Sequence, residues 1–140
     1  CHHPPEGYAA MARQLFPLVN KYNYEVKQKT PVTAPNIQSV SYTSAIRDEI
    51  KLVFDQEVKW DEDVAEQFYF DDDSAKLTAV EGTGRTITLK LAEPSATKNL
   101  TYVRGGKWKQ DDAIIWGANN IAALTFCEVP IRLPKEQNLE

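Results

Sequence analysis

The chain has 140 residues, a formal net charge of −4 at pH 7, 42% hydrophobic and 26% charged side chains. That length holds one domain with a single sizeable core, and the composition is ordinary for a globular chain. The lysines and arginines are scattered, with only Lys107 and Lys109 locally paired around Trp108, so no basic block points to nucleic acid as a partner. No apolar run approaches the roughly 18 residues that a membrane span requires.

The chain opens "CHHPPEGYAAMA". Pro4 and Pro5 suit a helix entry, since proline lacks an N–H that the first turn leaves unpaired in any case. Glu6 then stands favourably at the positive end of the helix dipole. Tyr8, Met11, Ala12, Leu15 and Val19 recur at helical spacing and predict one apolar face, with Pro17 predicting a kink or an end near Phe16. A helix this short does not bury such a stripe unaided, so it needs something to pack against. The polar stretch "NYEVKQKTPVTAPNI", with Pro31 and Pro35, reads as a linker over residues 23–36.

After it the pattern changes to period two. "IQSVSYT", "EIKLVFDQEVKW", "QFYF", "KLTAV", "RTITLKL", "NLTYV", "AIIW" and "ALTFCEVPI" follow in order. Ile50, Leu52 and Phe54 share one face, and Ile87, Leu89 and Leu91 another. "DEDVAEQ" is compatible with one helical turn. Seven or eight short strands with turn signals every ~8–12 residues predict a β-sandwich. The expected fold class is therefore mainly β: an immunoglobulin-like sandwich over residues 37–133, preceded by one amphipathic helix within residues 1–22 and followed by a short tail at 134–140.

The chemistry-bearing residues are few. His2 and His3 are the two histidines, so a histidine general base has to be one of them. Ser39, Ser41, Ser44, Ser74 and Ser95 lie in strands or polar turns, and none has the sharp Gly-flanked setting of an activated nucleophile. Cys1, His2 and His3 are three ligand types in a row, but adjacent residues of an extended segment point in different directions, and a structural zinc needs about four ligands. Cys1 and Cys127, at opposite ends, form no disulfide framework. The acidic turn Asp71, Asp72 and Asp73 lacks calcium-loop spacing and reads as a solvated turn. "EGTGR" precedes a strand and not a helix, which makes it a hairpin turn and not a phosphate loop. No cofactor is implied. Trp60 and Trp116 read as packing aromatics, whereas Trp108, in the polar loop "GGKWKQDD", is the candidate carbohydrate contact.

The block "HHPPEGYAAMA" resembles the last conserved block of SGNH (GDSL-type) hydrolases. That block carries the catalytic histidine, a Gly-Tyr pair five and six residues later, and a helix containing Met-Ala. Counted from His2, Gly7, Tyr8, Met11 and Ala12 stand at those places. His3 fits only if the loop is one residue shorter. The resemblance implies that His2 is the general base, with His3 as the alternative. It also implies that the aspartate orienting the base lies three residues before it, ahead of Cys1. The family's serine and oxyanion blocks have no counterpart in this sequence. The likeness covers about twenty residues of the chain. The sandwich is similar to the accessory domains that follow such catalytic domains in bacterial carbohydrate esterases of the sialate O-acetylesterase type.

The expectation is thus a C-terminal piece of an ester hydrolase, inactive alone, whose first partner is the hydrolase domain of its parent chain, with carbohydrate as a second. The resemblance implies an extracytoplasmic site for the parent. The contrasting expectation is a self-contained Ig-like binding or structural module. A leading Cys1 also fits a lipid-anchored terminus.

Overall fold

The computed structural model describes residues 3–71 and 73–134. Helix α1, Pro5–Asn23, comes first, followed by β1 (Ile37–Tyr42), β2 (Glu49–Phe54) and β3 (Val58–Lys59). A 3-10 helix, Glu62–Gln67, leads into β4 (Phe68–Phe70), β5 (Asp73–Ser74), β6 (Leu77–Thr83) and β7 (Thr86–Leu91). Strands β8 (Asn99–Tyr102), β9 (Trp116–Gly117) and β10 (Phe126–Pro130) complete the chain.

Two four-stranded antiparallel sheets face each other. One has the order β1-β2-β7-β6 and the other β10-β8-β4-β5. With the eight strands of these two sheets lettered A, B, C, C′, D, E, F and G in chain order, β3 and β9 apart, they follow the ABED and GFCC′ order of immunoglobulin-like sandwiches. A small ladder of β3 with β9 closes one end. Alternation explains the core. Ile50, Leu52 and Phe54 point inward from β2, and Ile87, Leu89 and Leu91 from β7, in a register that pairs Ile50 with Leu89 and Leu52 with Ile87. Phe68, Leu100 and Tyr102 meet them from the other sheet. The β6–β7 hairpin needs its glycines. Gly82 has φ +134°, and a Cβ there would run into the Thr86 carbonyl.

Tyr102 sits deepest among the polar side chains. Its hydroxyl accepts the Ile115 N–H at 2.6 Å. Burial pushes its pKa up to about 12, and the bond from Ile115 pulls weakly the other way.

The helix runs through Pro17 to Asn23, so of the two expectations for the proline, a kink or an end near Phe16, the end does not occur. Losing one N–H and crowding one carbonyl does not stop the turns on either side, which keep their own ladder. Strand "AIIW" shortens to a two-residue β9, because Ile115 is drawn into the core through its own N–H bond to Tyr102. The stretch 23–36, read as a linker, is bound to the sandwich over its second half. Val32 and Pro35 are buried. The Asn119 amide donates to the carbonyls of Pro31 and Thr33, each at 2.9 Å, and Gln56 Nε2 donates to the Thr33 carbonyl at 2.9 Å. Leu124 N–H closes onto the Pro35 carbonyl at 2.9 Å. Asn119 in turn receives the Ile121 N–H at 3.2 Å and stands beside Gly117, where a Cβ would strike its Oδ1.

Two outcomes test this fold. Leu89→Ala is expected to cost about 2–5 kcal/mol in urea denaturation, and Leu15→Ala well under ~1 kcal/mol, because α1 buries none of its residues. For Tyr102 the folded-state pKa lies above the unfolded value of 10. The folded state therefore holds its proton longer. Stability from this group is complete below pH 10 and falls as the pH rises toward about 12. Spectrophotometric titration at alkaline pH should show one of the six tyrosines ionising late, and Tyr102→Phe should remove that late step.

Candidate functional site

The candidate site is built at the start of α1. His2 and Cys1 lie outside the described residues. The description begins with His3, which is exposed, and shows what the Gly-Tyr pair does. The Pro4 carbonyl accepts the N–H groups of Gly7 (2.9 Å) and Tyr8 (3.2 Å), closing the first turn on a residue that is itself extended, with φ −64° and ψ 162°. The entering chain thereby folds back over that turn. A Cβ on Gly7 would sit 3.1 Å from His3 Cβ and 3.5 Å from Pro4 Cδ. An added Cβ would push His3 back by a few tenths of an ångström, so the glycine allows close approach within a helical backbone. The Tyr8 ring then stands edge-on to the His3 ring, centroids 5.8 Å apart at 89°. Gly7 and Tyr8 thus both lie against His3 at the entry to the helix.

The described residues assemble no hydrolytic site. Ser39 and Ser41 lie within β1, and Ser74 within β5. The Ser44 hydroxyl accepts the Ile46 N–H at 3.2 Å, and the Ser95 hydroxyl accepts the Thr97 N–H at 3.1 Å. These are local turn acceptors, and none is joined to His3.

Beyond this first turn, α1 carries its apolar side chains into water. Leu15 is 50% exposed, Phe16 65% and Tyr22 63%, with Tyr8, Met11 and Val19 also exposed. At about 100° per residue, Tyr8, Met11, Leu15, Val19 and Tyr22 fall within an arc of about 80°. A polar helix would need no partner; this one presents a continuous apolar stripe.

The aromatic candidates divide. Trp60 packs partly buried against the core. Trp108 and Trp116 are each 39% exposed. Trp108 lies in a loop of tight turns, its N–H donating to the Arg104 carbonyl at 3.0 Å, with the Lys109 N–H held by Asp112 Oδ2 at 2.8 Å. The neighbouring Lys107 ammonium lies 5.4 Å from the centre of the Tyr69 ring. The exposure of Trp116 corrects its reading as a packing aromatic. Trp116 stands between buried Ile115, just before β9, and buried Gly117 within it, so alternation turns its side chain outward. The alternation itself was the available signal.

A hollow of about 500 Å3 lies elsewhere, between the acidic turn at Asp71 and Asp73 and the segment 91–97. Asp71 takes φ +50°, and its carboxylate accepts the Thr97 hydroxyl at 3.4 Å. Among the described residues, no group of three or more His, Cys, Asp or Glu side chains is placed to hold a metal ion. Cys127 is exposed and free. No helix among the described residues is long and apolar enough to cross a membrane.

Compared with known proteins, the chain matches no family model and no curated protein.

The Tyr8–His3 contact is directly measurable. The His3 ring protons should show a ring-current shift in proton NMR, lost in Tyr8→Leu while the far strands keep their spectrum. Gly7→Ala should perturb the same signals by displacing His3.

Proposed function

We propose that this chain is the C-terminal part of an SGNH-type serine ester hydrolase, carrying the histidine loop, the last helix of the hydrolase domain and an Ig-like accessory sandwich. The parent acts on an ester, and an O-acetylated carbohydrate outside the cytoplasm is the substrate class the resemblance favours. The observation that supports this reading is the apolar stripe of α1, about half exposed from Tyr8 to Tyr22, directly after His3, which lies against Tyr8. A helix that had evolved to pack on its own sandwich would bury that stripe.

In this mechanism His2 takes the proton from a serine hydroxyl, supplied by the hydrolase domain, as the oxygen attacks the ester carbonyl. The same imidazole returns the proton to the departing alcohol. It then activates water to release the acyl group from the serine. Gly7 and Tyr8 act as positioning residues for the loop.

The 140-residue chain alone should give no hydrolysis of an aryl acetate above the uncatalysed rate. The full-length parent should hydrolyse it and lose about 10^4-fold or more in kcat on His2→Ala. Turnover by the short chain that disappears with His2→Ala would overturn the reading.

The half-exposed Trp108 favours a second reading, a sandwich that binds carbohydrate by stacking. Retention of the short chain on immobilised glycans, lost with Trp108→Ala, would favour that module.

A further inference from the structure

The outer face of the second sheet is covered at one place. On β4, Phe68 lies in the core and Phe70 packs against it, so alternation turns Tyr69 outward. Tyr69 is nevertheless only 5% exposed, and Thr101, its register partner on β8, only 6%. The loop that leaves β8 lies over them. Its Lys107 ammonium stands 5.4 Å from the centre of the Tyr69 ring. Among the described residues, the backbone hydrogen bonds of residues 104–112 close within the loop itself. The Arg104 carbonyl accepts the N–H groups of Lys107 (2.8 Å) and Trp108 (3.0 Å), and the Lys109 carbonyl accepts that of Asp112 (3.1 Å). The loop is a self-bonded unit laid on the sheet, and not a further strand of it.

Two unfavourable features meet at the root of this unit, on one rung. The Val103 N–H donates to the Gln67 carbonyl at 2.8 Å, which extends the β4–β8 ladder by one step. Val103 itself takes φ +62°, in the left-handed region that a β-branched residue strongly disfavours. Across the rung, Gln67 is 4% exposed and its Oε1 has no hydrogen-bond partner among the described residues. We infer that residues 104–112 are a hinged strap that pivots at Val103, and that its opening bares Tyr69 on the outer face of the second sheet. Breaking the rung lets Val103 return to extended backbone and lets water reach the Gln67 amide. The same movement lifts Lys107 off the Tyr69 ring. Strain at the pivot brings the closed and open forms near each other in free energy, which is the condition for a switch. Trp108 rides on the strap and is exposed with the strap closed; opening adds Tyr69 as a second aromatic surface on this face.

Nitration by tetranitromethane, assigned to each tyrosine by peptide mass spectrometry, reads the opening in the 140-residue chain. Tyr42, 2% exposed in the core, reports global unfolding. In dilute urea the Tyr69 rate should stay flat while the Tyr42 rate climbs, because a strap that opens locally bares little new surface. A Tyr69 rate that climbs in parallel with Tyr42 would overturn the inference. The pivot is tested by comparing Val103→Gly with Val103→Ala, with circular dichroism as the folding check. Both variants lose the side chain that packs partly against the core, and only glycine is free of the left-handed penalty. Tyr69 should therefore nitrate about fivefold more slowly in Val103→Gly than in Val103→Ala. Equal rates in the two would overturn the inference. Lys107→Ala, at an exposed position, should raise the Tyr69 rate about two- to fivefold, and an unchanged rate would equally overturn it.

Discussion

The register between β2 and β7 is the constraint on which the molecule depends. Pairing Ile50 with Leu89 and Leu52 with Ile87 sends six large aliphatic and aromatic side chains to one face of one sheet. A slip of one residue between them would turn the three from one strand to the outer face. Everything else is placed against that face. Phe68, Leu100 and Tyr102 fill it from the second sheet. The Tyr102 hydroxyl draws in Ile115, Ile115 sets the facing of Trp116, and the neighbouring turn brings Asn119 to the segment that leads back to the helix. A buried register thus reaches the surface through a short series of backbone bonds.

The helix obeys a different economy. Its sequence is amphipathic, yet its apolar side is exposed. The contrast between a fully sealed sandwich core and an unsealed helix within one chain separates two kinds of partner. The sandwich strands find theirs within this sequence. The helix face points outward, toward something the sandwich does not supply. Its N-terminal turn nonetheless packs locally, with a glycine in close approach to His3 and a tyrosine ring set against that histidine.

Much of this was legible in the sequence, for identifiable reasons. Strict alternation in "EIKLVF" and "TITLKL" identifies both strands and their inward faces, because period two has no other simple reading. Glycines in "EGTG" mark the hairpin by the same local logic. What escaped were effects of distant partners. Pro17 reads as a breaker from its own chemistry, but whether the helix survives it is decided by the turns around it. The segment "TPVTAP" reads as linker because it is polar and proline-rich. Its carbonyls are taken by Asn119 and Gln56, residues far away in sequence that carry no local sign of that role. The spacing of Gly7 and Tyr8 after the histidines was visible, and the reason for it needed the packed turn.

The grip of Asn119 also sets a length. With residues 31–36 fixed to the sandwich and α1 ending at Asn23, residues 24–30 join the two, with the Val26 N–H tied back to the Asn20 carbonyl at 2.9 Å. Seven residues reach at most about 25 Å when fully extended. Any body seated on the helix therefore finds the sandwich at a high effective concentration, since a short tether removes most of the translational freedom that a second contact would otherwise have to overcome. Lengthening that span would weaken the second contact without altering a single atom of it.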